Sequence, residues 1–304
     1  MRDHRSAREL FRNANRVANV VSPRCQRDGS SFVDASDKLF AGSIPEIYDR
    51  YLVPLIFEPY AVNVAARINK LAPSHVLETA AGTGVLTRAM AARLPQGARI
   101  VATDLNQPML DYAKARHSGA DRERIEWKQA DAQALPFPDQ SFDVVACQFG
   151  VMFFPDKVQG YKEARRVLKP GGQFMFTVWD KISENDFADA VTQALASVFP
   201  NDPPRFLART PHGYHVENRI RSDLKNAGFA NVAVDDVSAT SKAASALDPA
   251  IGFCQGTPLR NELEARDPAR VEDATKQAAS AVADRYGSGA IEGRIRALVI
   301  TAAP

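Results

Sequence analysis

The chain has 304 residues, of which 45% are hydrophobic and 24% charged, a composition typical of a globular protein with a large buried core. The net charge of +2 is too small to indicate a nucleic-acid partner, and no apolar run reaches the roughly 18 to 20 residues of a membrane span. Cys25, Cys147 and Cys254 match no metal-binding spacing and favour a reducing compartment. The sequence therefore predicts a soluble cytoplasmic protein with no stable membrane insertion and no resident metal ion.

Residues 1–35 form a basic leader. Its arginines recur every three or four residues, which would place them on one face of a helix: Arg2, Arg5, Arg8, Arg12 and Arg16. Such a face suits an anionic surface or an organelle import signal, but the few apolar residues make a thin hydrophobic side. A poorly ordered leader is the preferred interpretation.

The next segments alternate between helical and strand patterns. Residues 36–72 are expected to form an N-terminal helical cap that includes a helix from Pro59 to Leu71. Residues 73–181 form the predicted core. Its expected strands are His75–Thr79, Arg99–Asp104, Ile125–Gln129, Phe142–Gln148 and Gln173–Trp179, and its helices follow Gly84 and span Pro108–Arg116 and Gly160–Leu168. Strands that alternate with helices in this way predict a mostly parallel sheet.

The pattern loosens beyond Asp180. Residues 182–216 contain a helical stretch and a proline-rich connection, and residues 217–304 contain the last helix and strands around a helical insertion at 242–286. The expected elements are Asn185–Val198, Glu217–Ala227, Val232–Val237 and Arg294–Ala302. Segments 182–216 and 242–286 are expected to form a lid. The fold class is therefore α/β, a doubly wound, mostly parallel seven-stranded sheet with helical cap insertions.

A glycine-rich turn after the first strand carries the main chemical signal. Gly82 and Gly84 precede a helix, and Asp104 ends the next strand 20 residues after Gly84, where a carboxylate can accept hydrogen bonds from ribose hydroxyls. This arrangement binds a nucleoside at the carboxyl ends of parallel strands. A dinucleotide site would have glycine or alanine where Thr87 stands, so the pattern favours another nucleoside over NAD.

Five segments together resemble the class I S-adenosylmethionine-dependent methyltransferases, and within them the ubiquinone/menaquinone C-methyltransferase-like branch. The segments are Val76–Gly84, Ala102–Leu110, Gln129–Pro138, Phe142–Val145 and Glu163–Gly172. The resemblance covers about Phe40 to Asp180. It departs from the family pattern at Ala80, where the first motif usually has glycine, and an alanine there is tolerable if its backbone keeps a negative φ.

The resemblance implies S-adenosylmethionine as the cofactor and assigns residues to its parts. Glu78, Ala80, Gly82 and Gly84 would surround the methionine end, with Gln148 beside it. Asp104 would hold the ribose, and Tyr48 would close over the cofactor. The residues implied around the adenine are Leu105, Met109, Asp131 and Ala132.

Methyl transfer needs alignment of donor and acceptor, and it needs a general base only if the acceptor loses a proton. His212 and His215 are the candidates to act as a base or to orient a substrate hydroxyl, although a hydrogen-bonded loop would also explain them. Cys254 is expected to pack as a small apolar group. The aromatic residues near strand ends line either an acceptor pocket or the core: Phe149, Phe153, Phe154 and Trp179.

Three functions stay open at this point. The first is a methyltransferase for a small-molecule acceptor, which is aromatic, quinone-like or phenolic by resemblance. The others are an NAD(P)-dependent oxidoreductase and a non-catalytic S-adenosylmethionine-binding partner subunit. Protein or nucleic-acid methylation is disfavoured because Gln148-Phe-Gly-Val151 stands where a proline-asparagine tetrapeptide would be expected. The sequence does not indicate an oligomeric state.

Overall fold

The computed structural model describes residues 35–38, 40, 42–117 and 123–304, so residues 1–34 of the basic leader lie outside the described part. The strands are β1 (His75–Glu78), β2 (Arg99–Asp104), β3 (Ile125–Gln129), β4 (Phe142–Gln148), β5 (Leu168–Trp179), β6 (Asn231–Ala243) and β7 (Ile291–Ala303). The α-helices of the described residues are α1 (Ile44–Ile47), α2 (Glu58–Asn69), α3 (Val85–Ala91), α4 (Gln107–Arg116), α5 (Lys157–Val167), α6 (Asp186–Val198), α7 (Phe206–Arg209), α8 (Glu217–Asn226), α9 (Leu247–Gln255), α10 (Leu259–Arg266) and α11 (Val271–Tyr286). Among them, no helix combines the length and apolar character needed to cross a membrane.

The strands form one sheet in the order β3-β2-β1-β4-β5-β7-β6. The first five strands pair in parallel, and β7 runs antiparallel to both β5 and β6. The predicted doubly wound, mostly parallel seven-stranded sheet is therefore confirmed. The chain winds outward from β1 in one direction and from β4 in the other, and a crevice opens at the strand ends where such a reversal occurs.

Alternating side chains of the central strands enter two separate cores. Val144 and Ala146 pack with α2 and α3 on one face, whereas Val145 and Cys147 pack with α5 and α8 on the other. A strand buried on both faces requires a continuous apolar run, and the Val-Val-Ala-Cys sequence of β4 supplies it.

The N-terminal cap is helical throughout residues 44–69. Between α1 and α2 the chain forms a π-helical stretch, Tyr48–Phe57, which contains Pro54. Helix α9 packs closely against it, because a Cβ on Gly252 would lie 2.9 Å from Leu52 Cδ2. The cap and the late helical insertion are therefore in direct contact.

The structure corrects several predicted boundaries. β6 extends to Ala243, so Lys242 and Ala243 belong to a strand and not to the helical insertion, which divides into α9, α10 and α11. The proline-rich connection contains a short helix, α7. Leu168 pairs with Phe142 and begins β5 instead of ending α5, and a register shift then accommodates Lys169-Pro-Gly-Gly172 inside the strand. Pairing with a neighbouring strand decided the bounds of β5 and β6, and local periodicity does not report such pairing.

Candidate functional site

A single continuous cavity lies at the carboxyl ends of the central strands. Its walls differ in chemistry. The residues after β1, β2 and β3, together with Gln148, form a polar lobe: Ala80, Gly82, Asp104, Leu105, Asn106, Met109, Ala130, Asp131, Ala132 and Gln133. The residues that follow β4 and β5 and those of α6, α7 and α9 form an aromatic lobe: Phe149, Phe153, Phe154, Trp179, Phe187, Phe206, Leu207, His212 and Phe253.

The turn after β1 is built from left-handed residues. Gly82 has a φ of +57° and Gly84 one of +80°, a region in which glycine is unstrained. Gly82 N donates to Asp104 Oδ2 at 2.9 Å, which ties the turn to the end of β2. Gly84 caps α3, where a Cβ would lie only 2.7 Å from Trp127 Cη2. Both glycines are thus required by backbone conformation or by close packing.

Ala80 corrects one expectation from the sequence. Its φ is +53°, so its backbone does not keep the negative φ that was expected to make alanine tolerable. The methyl group is accommodated because the neighbouring residue across the turn is Gly150, where a Cβ would overlap the Cβ of Ala80. A strained alanine at this position therefore depends on a glycine that follows β4.

The two acids of the polar lobe are held differently. Asp104 is only 7% exposed, and its Oδ1 accepts from Asn106 N at 2.8 Å. Burial raises the pKa of Asp104 above its usual value, and the backbone hydrogen bonds from Asn106 and Gly82 oppose this rise. Asp131 is exposed, and its Oδ1 accepts from Gln133 N at 2.8 Å. A positively charged or hydroxylated ligand would gain more from Asp104 than from Asp131.

Glu78 and Gly84 do not line the cavity, unlike the other predicted cofactor residues. Glu78 lies behind the turn, where its Oε2 accepts from Thr87 Oγ1 at 2.6 Å. Burial raises the pKa of Glu78 to about 8, and the Thr87 hydrogen bond works against this rise. Thr87, which departs from the dinucleotide pattern, thus donates the hydrogen bond that holds the buried carboxyl group of Glu78.

Two further residues line the cavity, Tyr48 from the N-terminal cap and Gln148 from the end of β4. Gln148 Nε2 donates to Phe57 O at 3.0 Å, whereas its buried Oε1 has no hydrogen-bond partner within the described residues. A buried acceptor without a donor is costly, so this atom fits a ligand that brings a donor. Tyr48 stacks on Phe57 with ring centroids 4.9 Å apart, and burial raises its pKa.

Phe149 and Trp179 form the centre of the aromatic lobe. Their rings stack in parallel, with centroids 3.7 Å apart and an interplanar angle of 6°. Phe149 has a φ of +53°, and its N–H donates to Thr177 Oγ1 at 3.0 Å, which holds the chain in this strained conformation. Phe57 and Tyr60 contact both rings. Phe149 and Trp179 thus bring packed aromatic rings to the wall of the cavity.

The structure separates the two candidate histidines. His212 lines the cavity at 5% exposure, 6.0 Å from the Trp179 ring, and its Nδ1 lies 2.8 Å from Asp180 O. Burial lowers the pKa of His212 to about 4. His215 does not line the cavity, and its Nδ1 lies 2.8 Å from His212 O.

Other cavity residues carried no recognisable signal in the sequence. Phe40 packs edge-on against Tyr48 and Phe153. Phe206 belongs to α7, a short helix that was not predicted because prolines surround it in the sequence. Phe253 belongs to α9. These rings meet only because distant segments converge over the strand ends. Cys254 is fully buried, and burial raises its pKa to about 12, so it packs as a small apolar group.

Comparison with known proteins identifies the family. Residues 56–244 match the model of the ubiE/COQ5 methyltransferase family. The chain belongs to this family. It is 33% identical over 168 residues to a demethylmenaquinone methyltransferase of Lactobacillus johnsonii, which covers 52% of this chain and 68% of that protein. It is 31% identical over 170 residues to a ubiquinone/menaquinone biosynthesis C-methyltransferase of Hahella chejuensis, with coverage of 52% and 68%.

A solved structure supports the fold independently. The YcgJ protein of Bacillus subtilis superposes with a TM-score of 0.51 at 18% identity, covering 80% of this chain and 97% of that one. The family match shows that the chain is a methyltransferase with S-adenosylmethionine as its cofactor. Neither an NAD(P)-dependent oxidoreductase nor a non-catalytic partner subunit is supported by these comparisons.

Proposed function

We propose that the chain transfers a methyl group to a ring carbon of a quinone-type aromatic small molecule that binds in the aromatic lobe. The observation that carries this proposal is the stacked pair of Phe149 and Trp179 beside the polar lobe. Both rings line the cavity, and an aromatic ligand gains burial energy and ring-packing energy against aromatic side chains. The names of the relatives from Lactobacillus johnsonii and Hahella chejuensis refer to acceptors of this kind.

The polar lobe fits the cofactor. In this proposal Asp104 holds the ribose, Leu105 and Met109 pack on the adenine, and Asp131 with Ala132 contacts its polar edge; all five residues line the cavity. The cofactor supplies a methyl group bonded to a positively charged sulfur. The partnerless Oε1 of Gln148 is suited to accept from its amino group, and Ala80 and Gly82 bring main-chain atoms close to the methionine end.

The chain contributes mainly orientation and exclusion of water. Trp179, Phe149 and Phe187 are each at most 5% exposed, so an acceptor bound among them is shielded from solvent. Methyl transfer from a cationic sulfur disperses positive charge, and a dry pocket that fixes the reacting atoms in line favours it. Helices α6, α7 and α9 enclose the lobe, which supports the proposed lid role of segments 182–216 and 242–286. A cytoplasmic location belongs to the same proposal.

The test uses methyl-labelled S-adenosylmethionine with 1,4-dihydroxynaphthalene kept reduced, and with glycine as an amine control. We expect label on a ring carbon of the diol and none on glycine. Trp179→Leu should raise KM for the diol at least fivefold and leave KM for the cofactor within twofold. Phe199→Leu is the matched control, because Phe199 is buried but does not line the cavity. Transfer to glycine alone, or a Trp179→Leu effect confined to the cofactor, would refute the proposal.

A further inference from the structure

Among the described residues named above for the aromatic lobe, His212 has the one ionisable side chain. The side chain is 5% exposed and lies beside Trp179, on the side of the cavity where the acceptor is proposed to bind. Such a placement makes it one of the polar contacts, with Asn185 and Thr257, that an otherwise apolar ligand meets in this cavity. Pockets of this kind use a small number of polar groups to fix ligand orientation.

The hydrogen bond at Nδ1 decides which nitrogen carries the proton. Nδ1 lies 2.8 Å from the carbonyl oxygen of Asp180, and a carbonyl oxygen only accepts. Nδ1–H is therefore the donor. In the neutral ring Nε2 then carries a lone pair and no hydrogen, so it can accept a hydrogen bond but cannot donate one.

The surroundings hold this arrangement in place. His215 Nδ1 lies 2.8 Å from the carbonyl oxygen of His212, and Asp180 N donates to Arg296 O at 3.1 Å, which links the end of β5 to the middle of β7. The backbone of His212 and the carbonyl that its ring contacts are thus both held by hydrogen bonds. A ring anchored in one tautomer discriminates between a hydroxyl and a bare oxygen acceptor.

We propose that His212 is a specificity-determining residue, whose Nε2 accepts a hydrogen bond from a hydroxyl of the aromatic acceptor. This inference rests on the proposed function. A hydroxyl that shares its hydrogen with Nε2 gains electron density at oxygen, which makes the attached ring a better carbon nucleophile. An acceptor with a methoxy group in that place leaves Nε2 buried without a donor, which costs binding energy.

The same geometry argues against His212 as a strong base. Burial lowers its pKa to about 4, whereas a phenolic hydroxyl has an ordinary pKa near 10. Full proton transfer from phenol to this imidazole is therefore unfavourable by roughly a millionfold. The role that remains is hydrogen-bond acceptance, the second of the two roles that the sequence suggested.

The experiment compares binding of 1,4-dihydroxynaphthalene and 1,4-dimethoxynaphthalene to the full chain by tryptophan fluorescence quenching, with S-adenosylhomocysteine present. We expect the wild type to prefer the diol at least tenfold. His212→Phe should reduce this preference below threefold, and His212→Gln, whose amide oxygen can accept, should restore part of it. His75→Phe is the control and should keep the preference, because His75 is exposed and does not line the cavity.

The possible failures are distinguishable. If the wild type binds neither compound, the quinone-type acceptor is refuted, and the role of His212 with it. If both compounds bind and His212→Phe keeps the full preference, only the role of His212 is refuted. A His212→Phe variant that lowers affinity for both compounds equally would also refute it, because a purely structural role predicts that result. His212→Gln gives the same comparison if His212→Phe fails to fold.

Discussion

Replacement of Ala80 by glycine should stabilise the protein. Ala80 has a φ of +53°, a conformation that costs a residue with a side chain about 1–2 kcal/mol and costs glycine little. The gain is partly offset because glycine has more conformational freedom in the unfolded chain, worth about 0.4–1 kcal/mol. The expected net increase in the free energy of unfolding is about 0.5–1 kcal/mol.

The substitution should also change what Gly150 can tolerate. A Cβ on Gly150 would overlap the Cβ of Ala80 and lie 2.7 Å from Cys147 Sγ. Gly150→Ala alone should therefore destabilise the chain by about 1–3 kcal/mol, the usual cost of overpacking. In the Ala80→Gly background the closer contact is gone and only the Cys147 contact remains. The double variant should recover at least about 0.5 kcal/mol beyond additivity, since the residues are in contact.

Urea denaturation at one pH measures all four proteins of this cycle. Ala72→Gly is the matched control, because Ala72 has a φ of +45° but is exposed and lies outside the cavity. We expect it to stabilise the chain by a similar amount without affecting Gly150→Ala. A destabilising Ala80→Gly, or additive effects at positions 80 and 150, would show that the strain argument is wrong.

Three further predictions concern the polar lobe and the buried Glu78 behind it. Asp104→Ala should weaken cofactor binding at least tenfold by calorimetry, because lost hydrogen bonds to a charged group cost about 1.5–3 kcal/mol. Asp131→Ala should weaken binding less, because Asp131 is exposed. The reverse order would show that the proposed position of the adenine is wrong. Gln148→Leu should lower cofactor affinity more than it lowers stability, because it removes a buried acceptor that has no partner in the described residues. The pKa of Glu78 in the folded chain, about 8, exceeds its ordinary value of 4.5, so the free energy of unfolding should fall as pH rises from about 4.5 to 8. Urea midpoints measured across this pH range should show the fall in the wild type and a smaller fall in Glu78→Gln.

Local sequence predicted the parallel core closely. The bounds of β2, β3 and β4 agree with the structure. β4 is buried on both faces and is a continuous apolar run, whereas β3 is a partly exposed edge strand. β6 was predicted too short, since its exposed residues are polar and its length follows from pairing with β7. For the site, the family resemblance implied nine residues that do line the cavity, yet nothing in the sequence showed that Phe40, Phe206 and Phe253 converge there.

Two of the four non-glycine residues with positive φ in the described part of the chain lie where the sheet reverses its winding direction. Ala80 follows β1 and Phe149 follows β4, two neighbouring strands, and each has a φ of +53°. Strained residues persist only where their surroundings hold them, and here Gly150 leaves room for one while Thr177 binds the N–H of the other. Both turns take the chain sharply away from the strand ends. The crevice between them therefore lies between the proposed cofactor site on the β1 side and the proposed acceptor site on the β4 side, an arrangement that would bring the two reactants together.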